Sequence, residues 1–198
     1  SWRRDMHNLR YATGIPLSQI RDAHAEAKAK LIDKVNESSE LQFDPNVLTI
    51  GFARRATAYK RADMLFNHLH RLRYICEHVG PMQAVFAGEA HPKDETGKRM
   101  IEAVVDAARQ LEGVMPVVWL QDYDMDLAKL IISGSDIWLN TPLKPHEASG
   151  TSGMKAALNG VPSFSVLDGW WLEGHIEGVT GWAIGDDSRT SDELMEVH

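Results

Sequence analysis

The chain has one cysteine, Cys76, among 198 residues. No internal disulfide can form, and the expected setting is reducing and cytoplasmic. No apolar run approaches the roughly 20 residues of a membrane-spanning helix, and no secretory pattern stands in the sequence, so no membrane partner is expected. A positive excess is missing as well. The formal net charge is −7, which argues against a general nucleic-acid binder. Internal repeats and low-complexity tracts are absent. The 9 histidines are scattered; Glu89-Ala-His91 with His68, His70 and His78 matches no common zinc spacing, and no metal site is expected. What is present is ordinary: 43% hydrophobic and 25% charged residues, enough to bury one good core with an appended arm. The chain starts at Ser1 and stops within a helical pattern, Asp192-Glu-Leu-Met-Glu-Val-His198, so both ends read as break points in something longer.

Alternating patterns run along the chain. Residues 16–37 carry Pro16 near the start, Ser18 as a cap, and Ile20, Ala23, Ala27, Leu31 and Val35 at helical spacing. Val47–Ala53 is a short β-branched and apolar run of the kind that makes a buried parallel strand. Then follow a helix at about 60–78, a strand at 83–87, a helix at 95–111, a strand at 116–120, a helix near 124–133 and a strand at 136–140. A glycine loop with its own helix leads to a last strand at 162–167. Strict βαβα order predicts an α/β fold with a doubly wound parallel sheet. Ligands of such sheets bind at the carboxyl ends of the strands.

The most informative stretch lies there: Glu147-Ala-Ser-Gly-Thr-Ser-Gly-Met-Lys155. Glycines before a helix let bare backbone N–H groups converge on an oxyanion, and the helix dipole favours negative charge. A lysine one turn inside can pair with a phosphate or form a Schiff base with an aldehyde cofactor. The plain alternative is a capped turn, with Ser149 or Thr151 as N-cap and a solvated lysine. Basic residues crowd a second stretch: Arg54, Arg55, Lys60, Arg61, Arg71 and Arg73. Arg71 and Arg73 read as a solvated helix face, whereas Arg54, Arg55 and Lys60 follow a strand end. Of Trp170 and Trp171, one is expected to pack under the sheet; the other is left open between packing and stacking on a sugar.

Three blocks together resemble the carboxyl-terminal half of the α-glucan phosphorylases, the pyridoxal-phosphate enzymes that act on glycogen, starch and maltodextrin. They are Gly51-Phe-Ala-Arg-Arg-Ala-Thr-Ala-Tyr-Lys-Arg61, Tyr123-Asp-Met-Asp-Leu-Ala128, and Glu147–Lys155 continuing through Asn159-Gly160 to Leu167-Asp-Gly-Trp-Trp-Leu-Glu173. The likeness runs from about residue 16 to 185. It implies the Rossmann-like second domain of a two-domain GT-B glycosyltransferase fold, with residues 1–40 as an arm and long helix, and 41–198 as the cofactor- and phosphate-binding domain.

By the same resemblance, Lys155 would form a Schiff base with pyridoxal 5′-phosphate. Arg54 and the backbone around Gly150 and Thr151 would hold its phosphate, and Tyr123 would touch its ring. Arg55 and Lys60 would bind orthophosphate. Glu147, with backbone from Ser149 and Gly150, would hold hydroxyls of the terminal glucose. The implied partners are α-1,4-glucan, orthophosphate or glucose 1-phosphate, and a missing N-terminal domain. Exposed apolar surface around residues 16–37 would favour self-association, for instance as a homodimer. The isolated chain would then lack turnover. Some members have a histidine where Ala56-Thr-Ala-Tyr59 stands, and a basic and a β-branched residue at Asp124 and Met125. Two other readings stay open: a nucleotide-sugar-dependent glucan synthase domain, which would need no amine at Lys155, and a non-catalytic phosphate- or glucan-binding fragment.

Overall fold

The computed structural model describes residues 6–185; the helical pattern at 192–198 lies outside them. Six strands form one all-parallel sheet: β1 Leu48–Ala53, β2 Met82–Ala87, β3 Val117–Leu120, β4 Ile137–Asn140, β5 Ser163–Val166 and β6 Gly181–Ile184, in the order β3-β2-β1-β4-β5-β6. The helices are α1 Leu17–Ser38, α2 Leu69–His78, α3 Glu95–Gln110, α4 Met125–Gly134, α5 Thr151–Leu158 and α6 Trp171–Gly174. This is the doubly wound, Rossmann-like α/β architecture that the alternation predicts. The order reverses between β1 and β4, which opens a crevice at the carboxyl ends of those two strands.

Both faces of the sheet are covered, which is why β1 and β2 are buried along nearly their whole length and mostly apolar rather than alternating. Val85 and Ala87 of β2 face a cluster with Leu31, Ile32 and Val35 of α1 and Leu127 and Ile131 of α4. Their neighbours Ala84 and Phe86 face the opposite cluster with Phe52, Met100, Val104 and Leu111. Phe86 is fully buried and stacks on Phe52 at 5.3 Å and on Trp119 at 6.0 Å between ring centroids. Burying each such ring contributes about 1.5–3 kcal/mol.

At the amino ends of the strands, the Asp136 carboxylate gathers three groups. Its Oδ2 accepts from Lys28 Nζ at 2.6 Å and from the Thr49 N–H at 2.7 Å, and its Oδ1 lies 2.9 Å from His24 Nε2. Lys28 Nζ also donates to the Val47 carbonyl at 2.8 Å. This pins the second half of α1 to the sheet. The first half projects, with Leu17 and Ile20 exposed, in keeping with the expected apolar surface there.

Three elements depart from the sequence reading. The helix expected over about 60–78 begins only at Leu69; before it stand two 3-10 turns, Ala58–Lys60 and Ala62–Phe66. They are separated by Arg61, whose left-handed backbone (φ 44) interrupts any helical ladder. Arg73 is not simply solvated, because its guanidinium donates to the Gln110 carbonyl at the end of α3. The short strand β6 and the turn α6 give no periodic signal over four residues each, and the sequence does not mark them.

Candidate active site

β1 delivers Arg54 to the crevice as a buried side chain. The loop after it stays tied to the β2 side, with the Arg54 N–H donating to the Ala87 carbonyl at 3.1 Å and the Ala56 N–H to the Glu89 carbonyl at 3.0 Å. The Arg54 guanidinium donates to Asn140 Oδ1 at the end of β4 and to Glu147 Oε2 on the loop that follows. Lys60 Nζ donates to the same Glu147 oxygen at 2.7 Å and lies 4.4 Å from the Tyr59 ring centroid. The Glu147 backbone N–H is fixed by Asp168 Oδ2 at 2.8 Å. Burial would push the Glu147 carboxyl up, but hydrogen bonds and charge from Lys60 and Arg54 outweigh it and hold the group below the ordinary carboxylate value.

A cleft of about 470 Å3 opens beside this triad, bounded by Arg54, Arg55, Lys60, Glu147, Ser149, Gly150 and Thr151 together with Thr57, Tyr59 and Ser152. Arg55 is exposed at its edge. Three cations and one carboxylate thus line this cleft, two of the cations on the carboxylate itself, and the excess positive charge suits an anion. The start of α5 adds to it. Its N-cap is Gly150, in the left-handed region at φ 80 and with no side-chain cap bond, so neither Ser149 nor Thr151 caps the helix. The Thr151 and Ser152 N–H groups have no hydrogen-bond partner among the described residues. Thr57 Oγ1 and Ser152 Oγ are buried and without a partner there too. Such orphaned donors at a helix N-terminus fit an oxyanion.

Lys155 lies one turn further on, exposed, on the wall of a second cavity of about 520 Å3 with Tyr123, Met125, Ile132 and Ser133. Ser152 borders both cavities, so they adjoin at the start of α5. Tyr123 Oη donates to the Ala53 carbonyl at 3.3 Å; burial raises its phenol above the ordinary value and Arg54 opposes this. Lys155 Nζ makes no hydrogen bond among the described residues, which leaves the amine available. A phosphate on the donors of α5 and an apolar ring beside Lys155 would fit this pair of cavities. Pyridoxal 5′-phosphate has those two parts.

Sequence reasoning missed several residues. Asn140 holds Arg54 and in turn donates to Ser165 Oγ at 3.0 Å; a polar residue closing an apolar strand was the available signal. Asp168 orients Glu147. Trp170 lies under the glycine loop: a Cβ on Gly153 would fall 2.8 Å from its Nε1, and one on Gly150 would fall 3.0 Å from its Cδ1. Trp171 is buried. Both tryptophans therefore pack.

The strand ends of this Rossmann-type sheet bring together cations, a bare helix N-terminus and a lysine, which defines an α/β protein with a crevice suited to an anion. Residues 5–178 match the family model described as carbohydrate phosphorylase, and the chain belongs to that family. It is 42% identical over 187 residues to a maltodextrin phosphorylase of Thermococcus litoralis, covering 88% of this chain and 22% of that protein. It is 41% identical over 190 residues to a glycogen phosphorylase of Aquifex aeolicus, covering 87% and 27%. A glycogen phosphorylase of Mycobacterium tuberculosis is 40% identical over 180 residues, covering 88% and 21%. The chain thus spans about a quarter of the length of these relatives.

Proposed function

We propose that this chain forms the cofactor- and phosphate-binding part of a cytoplasmic α-1,4-glucan phosphorylase of the GT-B type. The observation that carries the reading is the joining of two cavities at Ser152, one lined by Arg54, Arg55 and Lys60 and the other by Lys155 and Tyr123. Two phosphates side by side need several cations and N–H donors, and this cleft supplies both.

In the reaction, the C1–O4 glycosidic bond breaks, C1 bonds to a phosphate oxygen, and a proton reaches O4, giving glucose 1-phosphate with retained configuration. Arg55 and Lys60 bind and orient orthophosphate. Glu147, its backbone fixed by Asp168, accepts hydroxyls of the terminal glucose, with the N–H groups of Ser149 and Gly150 beside it. Arg54 and the amino end of α5 would hold the cofactor's phosphate, Lys155 its aldehyde and Tyr123 its ring. When bound, pyridoxal phosphate supplies through its phosphate a proton relay to the substrate phosphate. The glucan groove and the exclusion of water are completed by further parts of the protein. A nucleotide-sugar synthase has no use for the exposed Lys155 amine.

The test is glucose 1-phosphate release by the full-length protein from maltodextrin and orthophosphate, with and without added pyridoxal phosphate. Cofactor-dependent release is expected. Its absence in a folded, cofactor-supplied preparation overturns the assignment.

A further inference from the structure

We infer that Arg61 and Thr141 are positioning residues that hold Lys60 in place at the anion site. The inference deepens the proposed function and rests on its reading of Lys60 as a phosphate ligand. Lys60 and Glu147 meet across two separate loops, one after β1 and one after β4, and neither loop alone fixes their distance. Arg61 turns away from the preceding 3-10 turn in the left-handed region (φ 44, ψ 53), a conformation uncommon for a residue with a Cβ. This aims its side chain at the other loop. Its Nε donates to the Thr141 carbonyl at 3.1 Å and its Nη2 to the Pro142 carbonyl at 3.0 Å.

Contacts run the other way as well. Thr141 Oγ1, on a buried residue, lies 2.9 Å from the carbonyl oxygens of both Lys60 and Arg61. The Leu143 N–H donates to the Tyr59 carbonyl at 2.6 Å. Three consecutive residues of one loop, 59–61, are therefore stitched to three of the other, 141–143. A half-buried guanidinium without a hydrogen-bonded carboxylate is costly to keep. Here its donors go to two carbonyls, and what they secure is the backbone immediately beside Lys60. Its sequence neighbours Arg71 and Arg73 have no such role.

Calorimetric titration of the full chain with orthophosphate tests this, with circular dichroism to verify folding. Arg61→Gln and Thr141→Val are expected to weaken orthophosphate binding about tenfold or more, as displacement of a binding group by a fraction of an ångström can do. Thr141→Ser, which keeps the hydroxyl, is expected to retain the affinity. In a Lys60→Ala background, Arg61→Gln should cause no further loss, because its effect acts through Lys60. Unchanged affinity in Arg61→Gln, or a full additional loss in the Lys60→Ala background, overturns the inference. If Arg61→Gln does not fold, Thr141→Val against Thr141→Ser carries the same test. A wild-type chain that does not bind orthophosphate overturns the anion reading itself, and this inference with it.

Discussion

Lys60 Nζ and Glu147 Oε2 are 2.7 Å apart although 87 residues separate them in the chain. With Arg54 on the same carboxylate oxygen, Glu147 is the internal counter-ion of the two buried cations that would serve arriving phosphates. Ligand and carboxylate therefore compete for the same donors.

Because the Glu147 carboxyl is held below its ordinary value, it binds protons less readily folded than unfolded. Its contribution to stability is present above the ordinary carboxylate range and is lost as pH falls through the lowered value, from about pH 5 downward. Glu147→Gln is expected to have a lower melting temperature than wild type at pH 7, since two buried cations lose their counter-ion, and a smaller further drop on acidification. Thermal denaturation at pH 7 and pH 4 measures both. A steeper acid loss in the variant would place the pH sensitivity elsewhere.

Arg55 is exposed at the mouth of the cleft, free to meet an anion. Arg55→Ala is expected to weaken orthophosphate binding roughly tenfold to a hundredfold, as loss of a charge-assisted contact does. Arg71→Ala, on the exposed face of α2, should change it by less than about twofold. Titration calorimetry on both variants decides; equal affinities would make the basic segment structural.

Lys155 is exposed and supports nothing in the core, so Lys155→Ala should leave melting behaviour within about 0.5 kcal/mol of wild type. It should nevertheless abolish a borohydride-stable adduct with pyridoxal phosphate. Peptide mapping by mass spectrometry locates the modification. An adduct surviving undiminished in Lys155→Ala would assign the aldehyde to another amine.

Gly153→Ala would set a methyl 2.8 Å from Trp170 Nε1. An overpacked contact of this kind costs about 1–3 kcal/mol. Adding Trp170→Leu to Gly153→Ala should restore part of the loss, seen as coupling in a double-mutant cycle of chemical denaturation. Strict additivity would mean that the indole does not brace the glycine loop.

The sequence alone determined the alternation of strands and helices from α1 to β5, because a doubly covered parallel sheet demands short apolar runs alternating with amphipathic helices, and β1, β2 and α3 obey that demand plainly. It also marked Arg54, Arg55, Lys60, Glu147 and Lys155, since glycines and cations around a helix start are local patterns that chemistry recognises without coordinates. Partnership was beyond it. That Glu147 neutralises Arg54 and Lys60, that Asn140 and Asp168 hold them, and that Arg61 leaves the helix pattern to tie the loop of residues 59–61 to that of 141–143 depend on contacts between strand ends far apart in the chain. A polar residue alone in a sequence looks the same whether it faces water or a buried charge. Only the parallel packing of β1 beside β4, which brings those two loops into one crevice, decides which it is.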